Sequence, residues 1–188
     1  MIFIRSIFII LSIIYNSVVS QKYRGKEQLS TDFTNLQVNR TIDLTKLVIK
    51  IESKVLIRSN RVDPISSYRL PLLKNSSKYL VNFSAKLQSA SDDEDLLKLK
   101  ISKQNVNLDD NFDYYEINFK SEPMNHEEER VLIIREEYFE KLELLPKKIS
   151  LKQDQLVVFE DTINHLSFYT TNKQIINIKL PTERTELM

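Results

Sequence analysis

Residues 39–58 read NRTIDLTKLVIKIESKVLIR. From Leu47 the odd positions Leu47, Ile49, Ile51, Val55 and Ile57 are apolar, and the even positions Lys50, Glu52, Lys54 and Arg58 are charged. Side chains of a strand point alternately to its two faces, so this period of two describes a strand with one face buried and one in water. Ile42 and Leu44 fall on the opposite parity, which predicts a bulge or kink near Thr45–Lys46.

The same alternation recurs downstream. It runs through Tyr68, Leu70 and Leu72, then Tyr79 to Leu87, then Leu97, Leu99 and Ile101, then Tyr115, Ile117 and Phe119. Further apolar runs follow at Leu156–Phe159, Leu166–Tyr169 and Ile176–Leu180. Strands at this spacing, joined by polar turns, predict an all-β fold, an antiparallel β-sandwich. Gly25 is the only glycine, so asparagine or aspartate is expected wherever a turn needs positive φ. Asn60, Asn75, Asn105, Asn107, Asn111, Asn125, Asn164 and Asn172 all lie between apolar runs.

Two segments depart from the strand pattern. Ser91-Asp92-Asp93-Glu94 has the form of a capping box ahead of Leu96 and Leu97, which would open a helix. In HEEERVLIIREEYFEKLELL, 126–145, the apolar residues Val131, Ile134, Tyr138, Leu142 and Leu145 recur at helical spacing. As a strand, 130–139 would set Val131 and Ile133 against Leu132 and Ile134 with no clean face, so pattern alone predicts a helix.

Residues 1–20, MIFIRSIFIILSIIYNSVVS, have the make-up of a signal peptide: Arg5, a short apolar core, and small residues before a cleavage point between Ser20 and Gln21. Asn16 and Ser17 interrupt the apolar run, which disfavours an uncleaved anchor. Residues 21–38 read as a polar lead-in, 39–181 as the β-sandwich and 182–188 as the start of a linker. With 27 basic and 26 acidic residues the charge is balanced, giving no reason to expect nucleic acid as a partner. The chain has no cysteine, which excludes disulfides, a thiol nucleophile and thiolate metal ligands.

Enzyme signatures are scarce. One glycine excludes the phosphate-cradling GxGxxG and GxxxxGK[ST] loops and the GxSxG elbow. His126 opens HEEER, but Arg130 stands where a zinc helix of HExxH form needs its second imidazole, so a solvated charged segment is the better reading. Asp109, Asn111 and Asp113 imitate the start of a calcium loop, yet Tyr114 occupies the glycine position and Lys120 the position of the closing glutamate. That makes an acidic turn. The run Asp92, Asp93, Glu94 and Asp95 reads as solvated surface, and His165, among apolar residues, as a packed or edge histidine. No catalytic, cofactor-binding or metal-binding residue is assigned. Three sequons stand at Asn39, Asn75 and Asn82; Asn39 precedes its strand and Asn82 lies on a polar parity, so both are expected to carry glycans outside the core.

The segment NRTIDLTKLVIKIESKVLI is similar to the opening strand of the ribophorin I family, whose members carry "R-x-I-D-L-x-x-x-x-V-K" soon after the signal peptide. QLVVFEDTINHLSFYTTNKQIINIKLP, 155–181, resembles the family's "Q-x-V-V-F-E…Y-x-S-P-Y-P-T…V-K-L", with Phe168-Tyr169-Thr170-Thr171-Asn172 in place of the Ser-Pro-Tyr-Pro turn. ERVLIIREEYFEKLELLPKKI sits where the family has a strand leading into a proline-containing loop. The resemblance spans about residues 38–181 and implies a β-sandwich similar to the N-terminal domain of zinc aminopeptidases. It overrides the helix pattern and implies a strand over 130–142.

The implied role is that of a non-catalytic accessory subunit of the oligosaccharyltransferase complex, in the endoplasmic reticulum lumen, without cofactors of its own. The partners it implies are the other subunits of that membrane complex. Membrane association would come through those partners or through family regions missing here: a second lumenal domain, a transmembrane helix and a cytosolic portion. The chain thus reads as the first lumenal domain, from a truncated gene product or a short form. The alternative is a freestanding secreted β-sandwich binding module, since a fold does not fix a function. An aminopeptidase-type enzyme would need zinc-binding residues that the sequence lacks.

Overall fold

The computed structural model describes residues 7–11, 30–88, 96–105, 110–148, 155–162 and 164–180. Among these, strands carry nearly all the regular structure. β1 is Ile7–Leu11, β2 Ser30–Asp43, β3 Ile49–Ser59, β4 Ser67–Leu73, β5 Leu80–Gln88 and β6 Leu96–Gln104. β7 is Phe112–Asn118, β8 Glu129–Tyr138, β9 Leu142–Leu145, β10 Gln155–Phe159, β11 Tyr169–Thr171 and β12 Gln174–Lys179. One helical turn, α1 (Lys74–Ser77), follows β4.

The main sheet runs β11-β2-β3-β8-β5-β6-β7-β4, and β12 also pairs with β2. All its pairings are antiparallel except those of β11 and β12, which lie parallel to β2 along its outer edge. The sheet curls because β6 serves two neighbours in turn. Leu96–Leu99 pair with β5, and Lys100–Gln104 pair with β7. The β6-β7-β4 part therefore folds back to face β2, β3 and β8, making an open half-barrel with two facing layers. A smaller sheet, β1-β10-β9, has β1 parallel to β10.

The all-β expectation holds, with several local corrections. The opening stretch is two strands joined by a turn. β2 ends at Asp43 and β3 begins at Ile49, so Leu47 is 67% exposed while Ile49, Ile51, Val55 and Ile57 are buried. The change of parity that suggested a kink near Thr45 is this turn, closed by Asp43 accepting hydrogen bonds from the Thr45 N–H (3.0 Å) and hydroxyl (2.6 Å). The bulge lies earlier, between Asn35 and Gln37, where β2 shifts register against β3. It turns Phe33 and Asn35 inward along with Val38, Arg40 and Ile42. β2 starts at Ser30, inside the stretch read as a polar lead-in, because only alternate residues there need be apolar.

The 126–145 segment is strand over Glu129–Tyr138, as the family resemblance implied and the apolar spacing did not. β8 lies between β3 and β5, with Leu132, Ile134 and Tyr138 buried inward and Ile133 nearly buried on the other face. The inward set of β8 includes the polar Arg130 and Glu136, while the apolar Val131 and Ile133 share the outer face with exposed Glu129 and Arg135, so the apolar residues do not alternate and imitate helical spacing. Leu96 and Leu97 begin strand β6 rather than a helix, and the capping-box residues 91–94 lie outside the described residues. Among the described residues, the non-glycine positions with positive φ are Glu127 (58°) and Glu140 (57°), not asparagines.

The left-handed conformation costs a residue with a Cβ roughly 1–2 kcal/mol, and glycine nothing. Glu140 is exposed beyond the end of β8, so its side chain offers no packing to offset that strain. Glu140→Gly is expected to leave stability unchanged or to raise it by up to about 1 kcal/mol once glycine's extra unfolded-state entropy is set against the relief. Urea denaturation of the two proteins checks this, and a loss of more than about 1 kcal/mol would contradict it.

Candidate functional site

On the inner faces of β2, β3 and β8 a polar residue stands between apolar ones, as Arg40, Ser53 and Glu136, with Glu136 one inward position beyond Ile134, the partner of Ser53. Along β2 the order is Val38, Arg40, Ile42; along β3 it is Val55, Ser53, Ile51; along β8 it is Ile134, Glu136, Tyr138. All nine are buried. The register places Arg40 opposite Ser53 and Ser53 opposite Ile134. Arg40 Nη1 donates to Ser53 Oγ at 3.1 Å and lies 3.6 Å from Glu136 Oε1. Tyr138 donates its hydroxyl proton to Glu136 Oε2 at 2.5 Å. This polar layer separates two apolar clusters. The larger holds Phe33, Val38, Val55, Tyr68, Ile117, Leu132 and Ile134; the smaller holds Ile42, Leu44, Ile49, Ile51, Tyr138 and Phe159.

A second buried pair adjoins it. Lys141 Nζ pairs with Asp161 and donates to Ser76 Oγ at 2.9 Å, with side chains 3% and 5% exposed for Lys141 and Asp161. The ammonium also lies 4.2 Å from the centre of the Tyr138 ring and 5.2 Å from that of Phe159. Burial pulls the Lys141 ammonium below the ordinary lysine value, although Asp161 pulls the other way. Burial, with the Glu136 charge second, pushes the Tyr138 phenol far above its ordinary value, so it keeps the proton that it donates to Glu136. His165 is fully buried, and burial together with Arg40 lowers its imidazole from 6.5 to about 3.

The residues singled out by sequence are scattered. His165 lines this joint as a packed, neutral imidazole. His126 is exposed in the turn that precedes β8. Arg130, read as part of a solvated run, is instead buried and holds Glu122 at 3.2 Å and Glu128 at 2.5 Å. Asp113 sits in β7, not in a turn, paired with Lys103 at 2.8 Å and accepting a hydrogen bond from Ser77. Asp109 and Asp92–Asp95 lie outside the described residues. Of the sequons, Asn75 and Asn82 are exposed, while Asn39 is half-buried inside β2 with its Oδ1 taken by Gln37 at 3.0 Å.

Sequence reasoning missed Arg40, Glu136, Lys141 and Asp161. A signal was present: Ser53 interrupts the apolar parity of β3, and Arg40 shares the parity of Ile42 and Leu44. Two polar residues on apolar parities of neighbouring strands mark a buried polar layer.

Across from this layer, the half-barrel closes through a polar seam. Asn35 Nδ2 donates to Ser167 Oγ (2.9 Å) and Thr171 Oγ1 (3.1 Å), and its Oδ1 accepts from the Tyr68 hydroxyl at 3.2 Å. The Tyr169 hydroxyl accepts from the Arg69 N–H at 3.0 Å. Among the described residues no group of three or more His, Cys, Asp or Glu side chains is placed to hold a metal, and no helix is long and apolar enough to cross a membrane. These are interactions that hold strands together.

The fold defines a curled, open all-β domain whose strands are tied by buried polar contacts. Residues 33–188 match the Ribophorin I family. The chain belongs to that family. It matches no curated protein. Among solved structures it is similar to an M1 zinc metallopeptidase from Deinococcus radiodurans, at 10% identity over 62% of this chain and 22% of that one, with a TM-score of 0.36. It is also similar to native yeast LTA4 hydrolase, at 15% identity over 74% of this chain and 21% of that one, TM-score 0.38. The chain thus spans about a fifth of the length of either, and similarity at this level carries nothing about activity.

The pH dependence of stability follows from His165. Its folded pKa is depressed, so between about 3 and 6.5 the unfolded chain binds a proton that the folded chain does not. The stability due to the neutral buried ring is fully present above pH 6.5 and is lost as pH falls, at about 1.4 kcal/mol per pH unit. Denaturation between pH 6.5 and 5, above the main carboxylate range, is expected to show that slope. His165→Leu should flatten it, and an unchanged slope in that variant would refute the assignment.

Proposed function

We propose that this chain acts as a non-catalytic lumenal part of the oligosaccharyltransferase complex, supporting transfer of oligosaccharide to asparagine through protein–protein contacts. The family match over residues 33–188 carries this reading. The exposed face of the curled sheet, not an internal site, is what meets partners. The chain works in the endoplasmic reticulum and reaches the membrane through the other subunits. Tagged chain expressed in cells is expected to co-purify with the catalytic membrane subunits after detergent solubilisation. Recovery from the medium, free of those subunits, would reject this reading in favour of a freestanding secreted module.

We also infer entry into the secretory pathway by cleavage between Ser20 and Gln21. Cleavage there removes β1 and, among the described residues, leaves β10 paired with β9 alone. Glycans fit best at Asn75 and Asn82, whose side chains face solvent; Asn39, inside β2, is reachable only before the sheet forms. Mass spectrometry of material from the secretory pathway is expected to find a mature N-terminus at Gln21 and glycan at Asn82. An intact Met1 or unmodified Asn82 would count against the corresponding assignment.

A further inference from the structure

The joint between β2, β8 and the segment after β10 encloses a cavity of about 10 Å³, lined among others by Arg40, Ser76, Glu136, Asp161 and His165. Three buried polar atoms of these lining residues have no hydrogen-bond partner in the protein: Arg40 Nε, Glu136 Oε1 and His165 Nε2. Buried polar atoms are rarely left unpaired, so three orphans around one cavity call for a common partner. Arg40 Nη1 and Glu136 Oε1 are 3.6 Å apart, too far for a direct hydrogen bond, which is the separation at which a bridging group is expected.

The chemistry of the lining restricts the occupant. Arg40 and Lys141 hold positive charge around the joint and disfavour a cation. Glu136 and Asp161 disfavour an anion. The occupant must accept from the Arg40 Nε–H and donate to Glu136 Oε1, so it is neutral and carries both functions. The volume admits one molecule the size of water, which needs roughly 10–15 Å³ and two to four polar partners.

We propose that this cavity is a structural water-binding site, in which a single water accepts from Arg40 Nε and donates to Glu136 Oε1 and to His165 Nε2. The neutral His165 ring then carries its proton on Nδ1 and presents Nε2 as the acceptor. The water completes the polar layer and ties the loop after β10 to β2 and β8.

The test uses the full chain. In nitrogen-15-labelled protein, the Arg40 Nε–H is expected to show a dipolar cross-peak to a long-lived water, and a high-resolution crystal structure is expected to show one water bonded to all three atoms. His165→Phe, which fills the space and removes one partner, is expected to abolish the cross-peak. If that variant does not fold, the crystal density of the unaltered chain still decides. A metal or halide at the position, an empty cavity, or a His165 Nε2 bonded directly to a protein group would each overturn the proposal.

Discussion

The buried Arg40–Glu136 pair sets the conditions for the rest of this domain. An arginine and a glutamate on the inner faces of β2 and β8 are stripped of water and must find every hydrogen bond inside the protein. Ser53 on the intervening strand and the Tyr138 hydroxyl supply two of them. The pair thus constrains register: a shift of β2 against β3 by one residue would turn Arg40 to the opposite face and leave Glu136 unpaired. Long strands with repetitive Ile, Val and Lys patterns are prone to such slips, and a charge that fits in one register opposes them. The apolar core is consequently built as two clusters on either side of this layer.

The second constraint is closure of the curl. β4 and the outer edge of β2 meet through Asn35, Tyr68 and Ser167, with Phe33, Tyr68 and Tyr169 packed at ring-centre distances of 4.6–5.7 Å. The bulge after Asn35 aims that residue inward, and without it Phe33 and Asn35 would face solvent. A local irregularity in one strand therefore positions both the polar seam and part of the larger cluster. The same strand contributes Arg40 to the layer, which is why β2 links the two halves of the core.

Much of this was legible in the sequence. The alternations at Tyr68–Leu72, Leu97–Ile101 and Ile176–Leu180 correspond to β4, β6 and β12, because strands with one wet face advertise their period. β8 was hidden because its inner face carries Arg130 and Glu136 while Val131 and Ile133 lie on the outer face, and the start of β2 because its buried set includes Asn35 and a bulge. The polar layer was harder. Arg40 and Glu136 look like surface charges in a chain where 28% of residues are charged, and only pairing across strands separates them from the rest. Lys141 and Asp161 are 20 residues apart and meet only through the fold. An accessory domain leaves no catalytic motif to search for, so family likeness, rather than local chemistry, carried the functional reading.

The most direct measurement is a double-mutant cycle on the buried pair, read by chemical denaturation of Arg40→Met, Glu136→Met and the combined variant. Each single change leaves a buried charge without its partner and should cost about 3–5 kcal/mol, while the double change should cost far less than the sum. Strictly additive losses would contradict the account, because the two side chains would then contribute independently and not as one layer.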